Sequence, residues 1–372
     1  MIYLDYAANT PADEAVLQAL CETERKFPGN PNSAHIAGRE AKARMDEVTA
    51  SIARMLSVQP EEIIYTSGAS ESNNTAIKGI ARATRHTGRH IISTPLEHPS
   101  VSGCLTALQE QGYEIDLVDI GRDGKIDLEH LRELLRRDTV LCAVTAVDSE
   151  LGTVQPVREI REILKDYPNC RFHVDATQAI GKTDFDFSCA DTVSFAPHKF
   201  FGLNGSGVLV KKRDLIIEPL IHGGAGTTLY RSGTPTLGLA VSTETALRLC
   251  TENFEARLIH VQAMNRKLRE FFYAYSKVRI NSPEDAVPHI LNLSVQGVRG
   301  AVFRDALSEN GVCVSVKSAC SVENTPSRAV YAVSRDRKNA LSSWRISLSH
   351  LTTDSELDAF EKIFDKLYLV FT

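Results

Sequence analysis

Two segments place a lysine and an aspartate where they could bind a carbonyl cofactor. An apolar run ends at His198-Lys199 and is followed by glycines. A lysine at a strand end of an α/β sheet points into the crevice that binds ligands, where it can form a Schiff base with an aldehyde. Asp175 ends the run RFHVD. A buried carboxylate needs a cation, such as a protonated pyridine nitrogen. The plainer alternatives are a surface lysine and an aspartate that caps a helix.

Two more segments could surround the same ligand. The run TSGASESNN, residues 66–74, turns from a predicted strand into a helix near Ser70. The N–H groups at a helix start, together with a hydroxyl, suit a phosphate. The segment matches neither a Walker loop nor the dinucleotide fingerprint. His98 follows the run HIIST, where an imidazole could stack on a flat ring and move protons. A simple helix cap and an ordinary polar histidine remain open as alternatives.

The last two candidates lie near the carboxyl terminus. Cys320 stands in KSACS, between a predicted strand and the polar stretch 323–343, which predicts a mobile loop. Nearby Lys317 would favour the thiolate and make this cysteine a nucleophile. Arg345 lies inside an apolar strand and needs an anionic partner, for which a substrate carboxylate is suited. The alternatives are one more exposed thiol and an ordinary salt bridge.

Composition limits the class of protein. The chain has 372 residues, 43% of them hydrophobic and 24% charged, with a net charge of −5. These values predict a soluble globular protein and give no general electrostatic reason to bind nucleic acid or a membrane. Eight cysteines without a CxxC pair predict free thiols in a reducing, cytoplasmic setting. The amino terminus lacks the pattern of a signal peptide, and no apolar run is long enough to span a membrane.

The order of apolar and helical patterns predicts an α/β fold with two domains. Residues 13–240 alternate strands with helices, which favours a large domain with a mainly parallel, seven-stranded sheet. Residues 1–12 and 241–372 are predicted to form a smaller α+β domain that carries Cys320 and Arg345. The predicted strands of the sheet are 62–66, 90–94, 114–118, 140–147, 171–175, 192–196 and 207–210. Residues 239–276 read as long helical sequence, and 313–316 as a strand.

Taken in order, the segments resemble the cysteine desulfurases that use pyridoxal phosphate (PLP), in the class V aminotransferase group with PLP fold type I. The matching segments run from residue 3 to about residue 353, and Lys199 lies 24 positions after Asp175. KSACS is similar to the branch with the longer catalytic loop. The segments are YLDYAANTP, GNPNSAH, TSGASESNN, EHPSV, ELGTVQP, HVDATQAIGK, HKFFG, RSGTP, KSACS and RISLSHLTT.

The resemblance implies a role for each matching residue. Lys199 would hold PLP and move protons, Asp175 would pair with the pyridine nitrogen, and His98 would stack on the ring. Cys320 would take sulfur from L-cysteine as a persulfide, release alanine and pass the sulfur to an acceptor protein. By analogy, that acceptor would be an iron–sulfur scaffold, a tRNA-thiolation enzyme or a cofactor-biosynthesis protein. The other implied contacts are Gln178 with the ring hydroxyl; Ser70, the Ala69 amide and His198 with the phosphate; Thr234 with the phosphate of a second subunit in a homodimer; and Arg345, with Asn30 or Asn32, at the substrate carboxylate.

Three positions depart from the family pattern. Relatives usually have two asparagines where this chain has Asp148-Ser149, and Ser149 is expected to replace a side chain that contacts cofactor or substrate. Ala196 stands where relatives often have a serine on the phosphate. Two other interpretations therefore stay open. One is a selenocysteine lyase or another class V lyase or aminotransferase, and the other is a divergent, PLP-binding scaffold. No metal site is expected.

Overall fold

The computed structural model describes residues 1–224, 228–317 and 325–372. Its strands form one large and two small sheets. They are β1 (Ile2–Tyr3), β2 (Ile63–Thr66), β3 (His90–Ser93), β4 (Glu114–Leu117), β5 (Thr139–Thr145), β6 (Arg171–Asp175), β7 (Thr192–Phe195), β8 (Gly207–Lys211), β9 (Val278–Ile280), β10 (Ile290–Val295), β11 (Val312–Cys313) and β12 (Ser343–Ser347).

Helices follow most of these strands. They are α1 (Glu14–Lys26), α2 (Ile36–Met55), α3 (Ala69–Ala83), α4 (Pro99–Gln109), α5 (Leu128–Leu134), α6 (Val157–Leu164), α7 (Leu237–Glu252), α8 (Phe254–Phe272), α9 (Gly300–Glu309), α10 (Arg328–Ser334), α11 (Arg337–Ser342) and α12 (Asp354–Phe371). Helix α6 shows why they form, because its buried residues recur every three or four positions, at Val157, Ile160 and Ile163.

The seven-stranded sheet confirms the predicted α/β fold. Its spatial order is β2-β8-β7-β6-β5-β3-β4. The pairs β3–β4, β3–β5, β5–β6 and β6–β7 are parallel, whereas β8 is antiparallel to both of its neighbours. Strands β5 and β7 are buried along their whole length, as expected for a sheet with helices on both faces. The carboxyl ends of β2, β3, β5, β6 and β7 therefore meet at one edge.

The carboxyl-terminal third packs around an aromatic core. Strands β9, β10 and β12 form an antiparallel sheet, and β1 from the amino terminus pairs with β11. Trp344 on β12 is fully buried, with its ring centroid 5.4 Å from that of Phe303. Phe364 of α12 lies 5.0 Å from Phe272 of α8, measured between centroids. This core holds β12, and with it Arg345, in a fixed position.

The prediction of a mobile loop over residues 323–343 is wrong for the part of this stretch that the structure describes. Helices α10 and α11 occupy most of it, capped by the side chains of Ser327 and Asp336. Ala329 and Val330 are buried in the main hydrophobic cluster. The polar composition of this stretch concealed a short apolar face, which is what makes the helices form.

Two other predicted elements are shorter than expected. The helical stretch 239–276 is two helices, which meet at Asn253. The strand predicted at 313–316 is reduced to β11 and a single bridge between Ser315 and Arg345. The predicted domain boundaries at residues 12 and 240 stay predictions.

Within the described ranges, no helix combines the length and the apolar character needed to cross a bilayer. Seven cysteines fall in those ranges, and no two of them form a disulfide.

Candidate active site

A cavity of about 370 Å³ lies at the edge where the strand ends meet. Side chains from beyond β3, β5, β6 and β7 enter it together with the start of α3. The amino-terminal segment and β12 close its other sides. The lining residues are Ala7, Ala8, Ser67, Gly68, Ala69, Ser70, Glu71, Leu96, His98, Thr145, Val147, Ser149, Asp175, Thr177, Gln178, His198, Lys199 and Arg345.

Lys199 follows β7 on a short turn of 3-10 helix and points at the amino-terminal segment. Its Nζ donates hydrogen bonds to the carbonyl oxygens of Ala7, at 3.0 Å, and Ala8, at 2.5 Å. Behind it, the buried Lys182 donates to the backbone carbonyl of Lys199 at 3.2 Å. Burial and, to a smaller extent, the charge of Lys199 lower the pKa of Lys182 to about 7. The amine of Lys199 is therefore held at the cavity by contacts with its side chain and its backbone.

Asp175 presents a buried carboxylate whose two oxygens both accept hydrogen bonds. Oδ1 accepts from the Thr177 N–H at 2.9 Å, and Oδ2 accepts from Asn73 Nδ2 at 2.8 Å. The side chain thus organises the turn after β6, where no helix follows for it to cap, and also lines the cavity. Its sequence neighbour Gln178 donates through Nε2 to the Ala7 carbonyl at 2.8 Å.

His98 caps α4 and faces the same cavity. Its Nδ1 accepts from the Ser100 N–H at 3.1 Å and lies 2.8 Å from Ser100 Oγ. Burial lowers the pKa of His98; the Lys199 charge adds to this effect, and Asp175 opposes it. The imidazole is therefore neutral near pH 7.

The start of α3 and His198 supply donors at one end of the cavity. The amides of Ala69 and Ser70 lie in the first turn of α3, where backbone N–H groups lack partners within the helix. The close approach of β8 shapes this turn, because a Cβ on Gly207 would lie 2.5 Å from the Gly68 backbone. Burial, followed by the charges of Lys199 and Lys182, lowers the pKa of His198 to about 4. His198 thus meets an anion as a neutral imidazole.

Sequence reasoning missed Glu71 on the wall next to this donor set. Glu71 pairs with Arg231 at 2.9 Å and accepts from the Ser67 N–H at 2.8 Å. Burial disfavours its charge, but the hydrogen bonds from Arg231 and Ser67 outweigh burial and lower the pKa of Glu71. The carboxylate is therefore already compensated and does not repel an anion as an isolated charge would.

Arg345 reaches the cavity from β12 and is 1% exposed. Its Nη1 donates to the Ser149 carbonyl at 2.6 Å, and its Nη2 pairs with Asp5 at 3.0 Å. Within the described chain its Nε has no hydrogen-bond partner. Asp5 was also missed, since 340 residues separate it from Arg345. The guanidinium is thus fixed in direction and still has donor capacity.

The lining suits pyridoxal phosphate, the cofactor expected from the resemblance. Gln178 Oε1 and Thr177 Oγ1 are buried, and neither has a partner among the described residues. Together with the Arg345 Nε, these atoms are polar groups that a polar ligand would satisfy. An amine, a carboxylate and an anion-binding helix start match the aldehyde, the pyridine nitrogen and the phosphate of PLP. The described residues contain no cluster suited to a metal ion.

Three of the predicted residues that the structure describes are not part of this lining. Asn30 and Asn32 are exposed, and the Asn30 side chain accepts from the backbone of Asn32 at 2.9 Å. Thr234 is exposed and also lies outside the cavity. Cys320 lies outside the described residues.

Comparison with known proteins agrees with this geometry. The family model for class-V aminotransferases matches residues 2–360. The chain is 35% identical to a "NifS/IcsS protein homolog" of Lactobacillus delbrueckii, over 100% of this chain and 98% of that protein. It is 34% identical to "Cysteine desulfurase IscS" of Dictyoglomus turgidum, over 98% and 95%. A solved "NIFS-LIKE PROTEIN" superposes with a TM-score of 0.93 at 33% identity, covering 99% of both chains.

The buried Glu97, next to His98, gives the site region a pH-dependent contribution to stability. Its Oε1 accepts from Thr94 Oγ1 at 2.7 Å and from the Thr145 N–H at 2.9 Å, which ties the ends of β3 and β5 together. Burial raises the pKa of Glu97 from 4.5 to about 8. Between these values the folded state holds a proton that the unfolded state releases. The stability due to this proton is therefore lost as pH rises through the window.

We predict that Glu97→Gln flattens the pH dependence of stability. The glutamine keeps an acceptor for Thr145 and carries no titrating group. Its free energy of unfolding should fall less between pH 4.5 and pH 8 than that of the wild type. Urea denaturation at a series of pH values measures this, with the exposed Glu110→Gln as the matched control. Parallel curves for Glu97→Gln and the wild type would contradict the prediction.

Proposed function

Because this chain belongs to the class-V aminotransferases, in the branch of NifS/IscS-like cysteine desulfurases, we propose that Cys320 takes sulfur from L-cysteine at the cavity around Lys199. The enzyme depends on PLP and converts L-cysteine to L-alanine. One observation supports the placement of this chemistry best. A single cavity joins Lys199, Asp175, the start of α3 and Arg345.

Each wall of the cavity has a separate task in holding the cofactor. PLP supplies an aldehyde and an electron-withdrawing ring, which weaken the bonds around the α-carbon of an amino acid. Lys199 holds the aldehyde through its amine, and Asp175 keeps the pyridine nitrogen protonated. The Ala69 amide, Ser70 and His198 hold the phosphate, and Gln178 bonds the ring hydroxyl. His98 would stack on the ring as a neutral imidazole, and the Lys199 amine would also move protons.

Arg345 is proposed to receive the substrate carboxylate, and Ser149 is proposed to contact the cofactor or the substrate beside it. A guanidinium presents donors in a planar fork that matches a carboxylate. The Ser149 carbonyl and Asp5 fix the plane of the Arg345 guanidinium, so little order is lost when the carboxylate binds. Removal of Arg345 would also leave the Asp5 carboxylate without its cation. Asn30 and Asn32 are proposed to be additional contacts of the substrate.

Cys320 is proposed to be the nucleophile that attacks the sulfur of the substrate. The bond between sulfur and Cβ breaks, a proton replaces the sulfur on that carbon, and the product is alanine. The cysteine becomes a persulfide, which passes its outer sulfur to a thiolate of an acceptor protein. That acceptor is one of iron–sulfur assembly, tRNA thiolation or cofactor biosynthesis, and the reaction takes place in a reducing cytoplasm.

The described residues on both sides of Cys320 support its access to the cavity. Ser315 and Arg345 exchange backbone hydrogen bonds, of 3.2 Å from Ser315 N and 2.6 Å from Arg345 N. Ser315 therefore lies beside Arg345, and Cys320 follows it by only five positions in the sequence, which extend at most about 17 Å. Lys317 precedes residues 318–324 and Thr325 follows them. The Lys317 Nζ donates to the Thr325 carbonyl at 2.9 Å, which brings these two flanking residues together.

We predict that Cys320→Ser abolishes sulfide and persulfide formation from L-cysteine, since a hydroxyl cannot accept the sulfur. The variant should still bind PLP and show its visible absorption. Cys21→Ser is the matched control, because Cys21 is exposed on α1, away from the cavity. Sulfide and alanine are measured in the presence of a thiol reductant. Full sulfide release by Cys320→Ser would refute this mechanism and favour a lyase, which breaks the bond between sulfur and carbon without such a thiol.

We also predict that Arg345→Lys raises KM for L-cysteine by about tenfold to a hundredfold, with a smaller change in kcat. A lysine keeps the charge beside Asp5 but loses the planar pair of donors. Steady-state kinetics checks this, with Arg279→Lys on the exposed side of β9 as the control. An unchanged KM would show that the carboxylate binds elsewhere.

The active enzyme is proposed to be a homodimer in which Thr234 contacts the phosphate of the second subunit. Thr234 is exposed and outside the cavity of its own chain. Three residues earlier, Arg231 pairs with Glu71 at the cavity wall. Residues 231–234 thus begin beside the cavity end that is proposed to bind the phosphate, and they lead away from that cavity.

A hybrid of two inactive variants tests the shared site. Lys199→Ala lacks the cofactor amine, and Thr234→Asp places a negative charge against the phosphate. In a hybrid dimer, one of the two sites then combines an intact Lys199 with an intact Thr234 from the other chain. Sulfide release should reappear when the two subunits are mixed and reassembled. If Thr234 served its own chain, no intact site would form and the hybrid would stay inactive.

A further inference from the structure

A chain of hydrogen bonds runs through the interior behind the cavity. Thr192 Oγ1 on β7 lies 2.9 Å from His173 Nδ1, and His173 Nε2 lies 2.9 Å from Asn73 Oδ1. Asn73 Nδ2 then reaches Asp175 Oδ2 at 2.8 Å. His173 and Asn73 are fully buried, and neither lines the cavity. These residues can therefore act on a ligand only through the side chains that line the cavity.

The direction of each hydrogen bond follows from the carboxylate at one end. An ionised Asp175 only accepts, so the Asn73 amide must turn its NH₂ group toward it. Asn73 Oδ1 then faces the opposite way and accepts from Ser194 Oγ and from His173 Nε2. His173 therefore carries its proton on Nε2, while its Nδ1 accepts from Thr192. Burial lowers the pKa of His173 to about 4, which keeps this imidazole neutral.

The second N–H of Asn73 connects the acid to the imidazole at the cavity. Asn73 Nδ2 also donates to Ser100 Oγ at 2.9 Å. The Ser100 hydroxyl lies 2.8 Å from His98 Nδ1, which already accepts from the Ser100 N–H. The hydroxyl therefore donates to that nitrogen, and the proton of neutral His98 is on Nε2. A single amide thus joins two side chains of the cavity wall, one after β6 and one at the start of α4.

We propose that Asn73 is a positioning residue that holds Asp175 in place for the pyridine nitrogen of PLP, and that the Nε2 proton of His173 fixes the orientation of the Asn73 amide. If the His173 proton moved to Nδ1, the amide would be drawn to turn over. Asn73 Oδ1 would then face the Asp175 carboxylate, and two acceptors would repel each other. The inference rests on the proposed function, because it takes PLP to be the ligand that Asp175 meets.

Asn73→Ala and the neighbouring Asn74→Ala provide the main test. Asn74 is on the same helix, but its side chain donates to the Ser70 carbonyl at 2.9 Å instead of to Asp175. Loss of a buried hydrogen bond to a charged group should weaken PLP binding by about tenfold or more in Asn73→Ala. Titration of the cofactor-free protein with PLP, followed by absorbance, measures the dissociation constant. Asn74→Ala should bind PLP as the wild type does.

The pH profile of the visible absorption band separates positioning from general loss of structure. If Asp175 is held less well, the pyridine nitrogen keeps its proton less firmly and the ring withdraws fewer electrons. The Lys199 nitrogen that is joined to the cofactor then becomes less acidic. The pH midpoint of the band should therefore move to higher pH in Asn73→Ala and stay in place in Asn74→Ala. Wild-type affinity together with an unchanged midpoint in Asn73→Ala would overturn the proposal.

A second pair of variants covers the case in which Asn73→Ala fails to fold. His173→Gln keeps an N–H donor that can reach Asn73, whereas His173→Leu removes it. In His173→Leu the pH midpoint of the absorption band should move to higher pH, as in Asn73→Ala. In His173→Gln the midpoint should stay at the wild-type value. Equal midpoints in the two variants would overturn the proposal. Normal PLP uptake by a wild-type protein that releases no sulfide would refute the desulfurase function alone, and absence of PLP uptake would overturn both.

Discussion

The site depends on the cost of burying the Asp175 carboxylate. Asp175 is 4% exposed, and a buried charge is tolerated only where hydrogen bonds or a cation compensate it. Two N–H donors, from Thr177 and Asn73, provide part of this compensation. The remaining partner that we propose is the cation that a PLP ring would bring to the cavity. The need to satisfy this carboxylate explains why a turn, a helix and a histidine-linked amide all converge behind β6.

The other ionisable groups on the cavity lining limit the positive charge near Asp175. Lys199 and Arg345 are the cations on its lining, and burial keeps the imidazoles of His98 and His198 neutral. The cavity therefore does not repel a cationic ring as a cluster of four positive groups would. Donors for a phosphate come from the neutral dipoles of α3 and His198. Such dipoles bind an anion without adding a charge that would have to be buried when the site is empty.

The sequence predicts those parts of the site that follow directly from strand ends. Asp175 ends β6, and Lys199 and His98 follow β7 and β3, so a parallel sheet must bring them to one edge. The seven-stranded sheet was predictable for the same reason, since apolar runs alternate with helical patterns. Asn73 was visible only as part of a helix-start motif, because its contact with Asp175 spans 102 residues. The Arg345 contact with Asp5 spans 340 residues and leaves no local pattern.

Two of the three departures from the family pattern, at positions 148 and 149, preserve the local hydrogen bonds. At position 149, the backbone carbonyl accepts from Arg345, and this contact does not depend on the side chain. At position 148, the carboxyl accepts from the Glu150 N–H at 3.0 Å and from the Leu151 N–H, as an asparagine oxygen would. Burial raises the pKa of Asp148 to about 7, with a further contribution from Glu150. Near neutral pH, this aspartate is therefore protonated in part and resembles the asparagine it replaces in both shape and charge. The turn that presents the Ser149 carbonyl to Arg345 is thus kept by hydrogen bonds that either residue can accept.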